Sequence, residues 1–317
     1  MKPLIFSFVL LFVVNVNAQI LDDVRELTEL NLPDQTDAYP YLTDDGLRLY
    51  FTNNNGGSNN IYFTSRPNLT SNFGWRALID FDLFDGAISC WFTVDELTAY
   101  YSTSTDLFYV TRATPASAFG VPIQITLTGG IASFFGGLSL TPGGEELYIY
   151  TGNELSKYAY VNDTTYAFVA EEVPPVGYEG ATGQLSKDGL ELCWSLSPIG
   201  VDSMYLFQLD RVAIGDDFGN PVMLNNLINA STRMNSQATY AKSANVLIWV
   251  RNDDGTWDDN DLFIAQDGSL SIFELTNAPK ELVKIVDLMG RETVYTPNTV
   301  LIYVYNDGTS ERVFKLD

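Results

Sequence analysis

Histidine is absent from all 317 residues. Its absence removes the commonest general base and the commonest zinc ligand, and with them every Ser-His-Asp or Cys-His arrangement. Any catalysis must therefore use carboxylates, tyrosines or a bound metal. Positive charge is also scarce: 17 Lys and Arg stand against 40 Asp and Glu, for a formal net charge of −23. A surface that acidic repels phosphate backbones and anionic lipid, which excludes nucleic acid and membrane surfaces as partners and leaves cations, proteins and neutral glycans. The two cysteines, Cys90 in "SCWF" and Cys193 in "ELCW", sit in apolar strand-like contexts. They read first as free buried thiols, with a disulfide as the alternative in an exported chain. Helical periodicity is nearly missing: Val24 to Leu30 is one short candidate, and it reads equally well as a strand.

The first residues, "MKPLIFSFVLLFVVNVNAQ", hold one lysine, an apolar run from Leu4 to Val14, and small residues before a polar start. This is the pattern of a secretory signal peptide over residues 1–18, with cleavage after Ala18 and Val16 as the second small position. The run is shorter than the ~20 residues that span a bilayer, and no charged stop-transfer flank follows. No cysteine follows the cleavage site, so a lipoprotein anchor is not indicated. The mature chain is expected to begin at Gln19, to leave the cytoplasm and to carry no membrane span.

The body is a repeat. "LTDDGLRLYF" (42–51) returns as "FTVDELTAYY" (92–101), "LTPGGEELYI" (140–149), "LSKDGLELCW" (185–194) and "YAKSANVLIW" (240–249), at spacings of 50, 48, 45 and 55 residues. Each copy is an apolar residue, a small polar residue, a turn and an alternating strand. Asp45-Gly46, Gly143-Gly144 and Asp188-Gly189 suit a two-residue turn with positive φ. A further strand follows at Asn60-Ile61-Tyr62, Asp106-Leu107-Phe108, Ser203-Met204-Tyr205 and Asp261-Leu262-Phe263, and a fourth is clearest at Trp75 to Asp80. Four strands in about 48 residues make one propeller blade. Trp75, Trp91, Trp194 and Trp249 lie in strand patterns and are expected in the core.

The turn motif with its Asp-Ile-Tyr-like strand resembles the WD-like repeats of TolB-type β-propellers, over roughly residues 37–276. The fold expected over residues 19–278 is therefore all-β, a β-propeller of about five four-stranded blades, six being common in such proteins. The segment "DVRELTELNL" (23–32) would supply the outer strand of the last blade and close the ring.

After Pro279 the pattern changes. Two apolar runs, Val300 to Tyr305 and Arg312 to Leu316, are joined by Asn306-Asp307-Gly308, which is a hairpin signature. Residues 279–317 resemble the type A C-terminal sorting domain of the type IX secretion system of Bacteroidetes. The matching landmarks are Asp287-Leu288, Gly290-Arg291, Pro297-Asn298, Leu301-Ile302-Tyr303 and Asp307-Gly308. The resemblance implies a small β-sandwich, the type IX translocon as a partner, removal of this unit, and a propeller released or attached at the outer cell surface by way of the periplasm.

Propellers carry function where their innermost strands begin, so the residues just before each repeat are the candidates: Asp37 and Tyr39, Asp85 and Trp91, Phe134 and Phe135, Glu179 and Gln184, Asn235 and Gln237. Asp37, Asp85 and Glu179 could form the acid and base of a glycosidase if two carboxyl groups share one pocket; the competing reading makes them turn formers on an acidic surface. The loop "RNDDGTWDDNDLF" gathers Asp253, Asp254, Asp258 and Asp259 around Trp257, oxygen ligands of the kind calcium takes, although without EF-hand spacing. No other cofactor is implied. The leading reading is a non-catalytic binding propeller for a protein or glycan ligand, with a carbohydrate-active enzyme and a structural envelope component as alternatives. In a secreting host, mass spectrometry of the mature protein should find Gln19 at its N-terminus and no peptide from 279–317; an intact hydrophobic leader would overturn the signal-peptide reading.

Overall fold

The computed structural model describes residues 21–33, 35–54, 59–79, 81–130, 136–151, 154–229, 234–253, 260–267, 282–286, 293–294, 298–305 and 310–314. The chain divides into two compact units, Met1–Asp267 and Gly268–Asp317. Among the described residues the first unit is all-β, apart from the single-turn helix α1 (Phe81–Phe84).

Strand β1 (Asp23–Glu26) precedes a series of antiparallel meanders. The first is β2 (Thr36–Leu42), β3 (Arg48–Asn54), β4 (Asn59–Ser65) and β5 (Ala77–Leu78). The next two are β6 (Ser89–Phe92), β7 (Thr98–Ser102), β8 (Leu107–Thr111), β9 (Ile123–Thr128) and β10 (Leu138–Leu140), β11 (Glu146–Tyr150), β12 (Leu155–Asn162), β13 (Thr165–Glu171). Their outer strands pair in parallel, Thr165 to Ala167 against Thr126 to Thr128, which merges them into one eight-stranded sheet and leaves neither outer edge open. Then come β14 (Tyr178–Leu185), β15 (Glu191–Pro198), β16 (Tyr205–Asp210) and β17 (Val222–Met223). The last sheet is β18 (Met234–Ala241), β19 (Val246–Asn252) and β20 (Asp261–Gln266), with β1 as its outer strand, Asp23 opposite Gln266. The N-terminal segment thus closes the last sheet, as its sequence predicts. First strands adjoin in the cycle β2, β6, β10, β14, β18 and back to β2. Meanders ranged in this way around an axis form a β-propeller.

Near the axis, neighbouring meanders are bridged by hydroxyls. Thr52 Oγ1 donates to the Ile88 carbonyl at 2.6 Å, and Ser89 Oγ to that of Gly136 at 2.9 Å. Further round, Ser139 Oγ accepts the Leu185 N–H (3.1 Å), Ser195 Oγ the Gln237 N–H (3.1 Å) and Thr239 Oγ1 the Leu42 N–H (3.2 Å). Each of these five hydroxyl residues is buried. First strands twist away from their neighbours and leave backbone groups without ladder partners, which buried positions do not tolerate.

The repeat motif is a turn stabilised from within. Thr43, Thr93 and Ser186 hydroxyls donate to Asp45, Asp95 and Asp188, whose carboxylates accept the N–H of Leu47, Leu97 and Leu190 at 3.0 Å. One positive-φ residue follows in every copy: Gly46, Glu96, Gly144, Gly189 and Asn245. The connection is therefore a four-residue turn ending in the left-handed conformation, and not the two-residue turn with paired positive φ that the sequence suggests; Gly143 lies outside that region. Glu96 is the costly occupant, since a side chain in this conformation is strained by about 1 kcal/mol. Its buried carboxylate recovers that by holding Arg48 at 2.7 Å and the Tyr50 hydroxyl at 2.9 Å.

An arginine then locks the turn in three meanders. Arg66, Arg112 and Arg211 donate Nε to the carbonyls of Gly46, Glu96 and Gly189, each at 2.8 Å. Each guanidinium also lies over the ring of a phenylalanine seven residues on: Phe73 (4.7 Å), Phe119 (4.4 Å) and Phe218 (4.7 Å). The core between sheets is aliphatic and aromatic, with Trp194, Trp249, Tyr148 and Phe92 fully buried and Trp91 nearly so. Trp75 is the exception to the expectation for tryptophans: it is 79% exposed, because the outer strand is only the two residues of β5 and Trp75 precedes it. Cys90 and Cys193 are free and buried.

In the second unit, β21 (Leu282–Val286), β22 (Val300–Tyr305) and β23 (Ser310–Phe314) form a three-stranded antiparallel sheet in that order. The last two pair as the hairpin read from the sequence.

Thr239→Val keeps the side-chain shape but leaves the Leu42 N–H without an acceptor. It should cost about 1–3 kcal/mol in urea denaturation, against less than about 0.5 for the exposed Thr114→Val. Equal effects at both positions would show that the hydroxyl bridges contribute nothing.

Candidate functional site

Three first strands break register at the same height. One extra residue is accommodated between Ala38 and Tyr41 in β2, between Gly180 and Gly183 in β14, and between Ser236 and Thr239 in β18. Such bulges re-aim side chains. Here they turn Tyr39, Ala181, Thr182 and Gln237 into the axis of the ring, where with Tyr150, Met204 and Ser236 they line a half-open cavity of about 260 Å³. Tyr39 and Gln237 hold positive φ, 46° and 52°, a strained state for residues with side chains. The Tyr39 N–H donates to Gln237 Oε1 at 2.8 Å, tying the two bulges together.

The cavity wall mixes apolar and polar surface. Thr182 Oγ1 and Ser236 Oγ are buried without hydrogen-bond partners among the described residues, a state that costs stability unless something fills the space. Burial raises the Tyr39 phenol well above its ordinary value, so it stays protonated and able to donate. Below the cavity, Gln184 Nε2 reaches from β14 to the Pro40 carbonyl of β2 at 3.4 Å, and its Oε1 has no partner among the described residues.

Of the candidates read from the sequence, Tyr39 and Gln237 line this cavity. Trp91 is buried nearer the other end of the axis. Asp85 and Glu179 are exposed. Asn235 is buried at the start of β18, where its Oδ1 accepts Trp249 Nε1 at 3.1 Å and Arg251 Nε at 3.0 Å. Asp37 is fully buried between the first and last sheets. Its Oδ1 accepts Asn53 Nδ2 at 2.7 Å and Arg76 Nη1 at 3.2 Å, and its backbone N–H donates to the Asn260 carbonyl at 3.0 Å. The charged neighbours of Asp37 are Arg76 and Asp261, and Glu179 instead faces Glu154. None of Asp37, Asp85 and Glu179 lines the cavity.

Asp253 is exposed at the end of β19. Phe134, Phe135, Asp254, Asp258 and Asp259 lie outside the described residues, as do Asp287, Gly290, Arg291, Pro297, Asp307 and Gly308. Asn298 is exposed with a φ of 56°, and Tyr303 is half-buried in β22 opposite Glu311. The sequence reading missed Ala181, Thr182, Ser236, Tyr150 and Met204. A signal existed for the first two: Gly180 and Gly183 bracket them, and two glycines within one strand mark a bulge or a close approach. A Cβ on Gly180 would meet the Trp194 ring at 2.7 Å, and one on Gly183 would meet Leu155 at 2.7 Å.

The fold and its axial cavity define a β-propeller protein. Solved structures of similar arrangement include TolB from Acinetobacter baumannii, 14% identical, covering 73% of this chain and 54% of that one with a TM-score of 0.44. A putative TolB from Agrobacterium tumefaciens is 13% identical, over 92% of this chain and 87% of that one, with a TM-score of 0.42. The periplasmic gluconolactonase PpgL of Pseudomonas aeruginosa is 12% identical, over 74% and 71%, with a TM-score of 0.40. The chain spans about half the length of the Acinetobacter TolB. No family model matches the chain, and no curated protein matches it in sequence.

Burial outweighs Asn53 and Arg76 and lifts the Asp37 carboxyl from 3.8 to about 7. The folded protein therefore holds a proton there that the unfolded chain releases near pH 4, a contribution complete below that pH and lost as pH rises through about 7. Asp37→Asn should accordingly raise the urea midpoint relative to wild type at pH 8 and match wild type near pH 4. An offset equal at both pH values would sink this assignment.

Proposed function

We propose that this chain is an exported, non-catalytic binding propeller of five blades, taking a neutral glycan end in its axial cavity. The observation that carries the reading is the half-open pocket at the axis: about 260 Å³ lined by Tyr39, Tyr150, Thr182, Ser236 and Gln237, with two hydroxyls lacking partners among the described residues. An apolar cavity of about 150 Å³ holds benzene, so this one takes a ring of monosaccharide size. Sugars suit such a wall, because their hydroxyls can pair with Thr182 and Ser236 while their C–H faces lie on tyrosine. The net charge of −23 disfavours an anionic ligand and leaves a neutral one unopposed.

The blade count follows from taking each meander as one blade, with the merged sheet as two. A carboxylate-dependent hydrolase is the less favoured reading, because Asp37, Asp85 and Glu179 have separate surroundings and none lines the cavity. The signal-peptide pattern and the sorting-domain landmarks support export by the type IX route, with residues 279–317 addressed to the outer-membrane translocon and the propeller delivered to the cell exterior. The hairpin of β22 and β23 agrees with that assignment.

A glycan array on the purified full-length protein, with and without calcium, tests the proposal. Binding without turnover is expected, and Thr182→Val should lose about tenfold in affinity, ~1.4 kcal/mol, while keeping or gaining stability without ligand. Cleavage of a bound glycan would replace the reading with a carboxylate glycosidase, and a blank array would turn it toward a protein ligand.

A further inference from the structure

Lys187 lies at the opposite end of the axis, in the turn between β14 and β15. β14 adjoins β10 and β18, yet the Lys187 side chain crosses the ring to β2 and β6. Its Nζ stands 3.4 Å from the centre of the Tyr41 ring and 3.7 Å from that of Trp91. The residue is 5% exposed, and Nζ has no hydrogen-bond partner among the described residues. Lys187 forms part of the wall of two openings, one of about 120 Å³ beside Trp91, Tyr100 and Leu140, the other of about 290 Å³ beside Tyr41, Asp44, Arg48 and Ser243.

An ammonium ion buried without an acceptor is costly, and aromatic faces offset only part of that cost. The groups around it do not supply a counter-ion in contact. Asp44, from the turn after β2, is bound to the Ser243 hydroxyl and N–H, and Cys90 of β6 is a buried thiol that burial holds neutral. The Tyr41 phenol donates to the Phe92 carbonyl at 2.5 Å. Within its own turn, Asp188 is paired with Lys242 at 2.9 Å, and on the wall of the wider opening Arg48 is paired with Glu96 at 2.7 Å. Burial accordingly lowers the Lys187 amine well below its ordinary range, with Asp44 and Cys90 opposing weakly.

We propose that Lys187 is a carbonyl-reactive amine, and that the wider opening admits a small neutral aldehyde or ketone which it captures as an imine. The Nζ lone pair attacks the carbonyl carbon, and the C=O π pair moves to oxygen to give a carbinolamine. The two amine protons and that oxygen then leave as one water, and the C=N bond forms; no oxidant or reductant is consumed. A neutral carbonyl fits an opening bordered by Asp44 and Asp45, which would repel a carboxylate or phosphate. Desolvated lysines are the usual nucleophiles for this step. The proposal is independent of ligand binding at the other end of the axis.

The other described lysines provide the internal control. Lys157 is paired with Glu146 at 2.6 Å and Lys242 with Glu191 at 2.7 Å, and Lys284 is exposed. Full-length protein is treated with propionaldehyde and cyanoborohydride at pH 7, and labelled lysines are mapped by peptide mass spectrometry over time. Lys187 should label about tenfold or more faster than Lys284, since each unit of lowered pKa multiplies the free amine tenfold. Labelling of Lys187 should also persist from pH 9 to pH 7, and Lys187→Arg should remove the fast phase. Lys284 labelling first while Lys187 stays unmodified would overturn the proposal, as would parallel pH profiles for the two. Both refuting outcomes are read on the wild-type protein, so they do not depend on the variant folding.

Discussion

Strands in this protein hydrogen-bond within their meander, and the meanders have no ladder between them on the axial side. Buried hydroxyls bridge every junction, from Thr52, Ser89, Ser139, Ser195 and Thr239, beside single backbone bonds such as Asn235 N–H to the Met204 carbonyl and Asp37 N–H to the Asn260 carbonyl. A hydroxyl both donates and accepts, so it can meet whichever backbone group the neighbouring strand presents. That tolerance lets the first strands approach the axis at angles a continuous sheet would forbid.

Much of the fold is legible from the repeat. The copies at 42, 92, 140, 185 and 240 mark real turns, and the left-handed position falls in register in the first four, including the copy where Glu96 stands in place of glycine, and one residue later, at Asn245, in the fifth. The segment at 23–32 was readable as the closing strand because it lies ahead of the first repeat, and Asp23–Glu26 of it forms that strand. The arginine lock was not read, since its members are spread across a loop: "RPNLTSNFG", "RATPASAFG" and "RVAIGDDFG" share only an arginine, a phenylalanine and a glycine. Trp75 misled because an aromatic beside alternating residues looks like core, when the strand it introduces is two residues long and solvent-facing.

The site was half legible. Position relative to the repeat found Tyr39 and Gln237, since residues before an innermost strand must lie near the axis. The same rule also returned Asp37, whose side chain turns into the seam between first and last sheets, and Asn235, which is buried against Trp249 and Arg251 of its own sheet instead. One residue of offset along a strand reverses its facing, and the bulges that set the offset carry no mark in the sequence except the glycines at 180 and 183. Lys187 escaped attention for the converse reason. It occupies a variable place in a polar turn, where a lysine ordinarily points to water, and only the ring shows that this turn faces across the axis to Tyr41 and Trp91.

The pairing of β1 with β20 sets the order of events when the chain is made. Asp23 lies opposite Gln266, so the earliest strand to emerge waits for one of the latest, and the whole intervening chain must be present before the seam can form. Until then the last sheet lacks its outer strand, and Leu27 and Leu30, buried in the finished ring, remain in water. Such a molecule is slow to commit to its final shape.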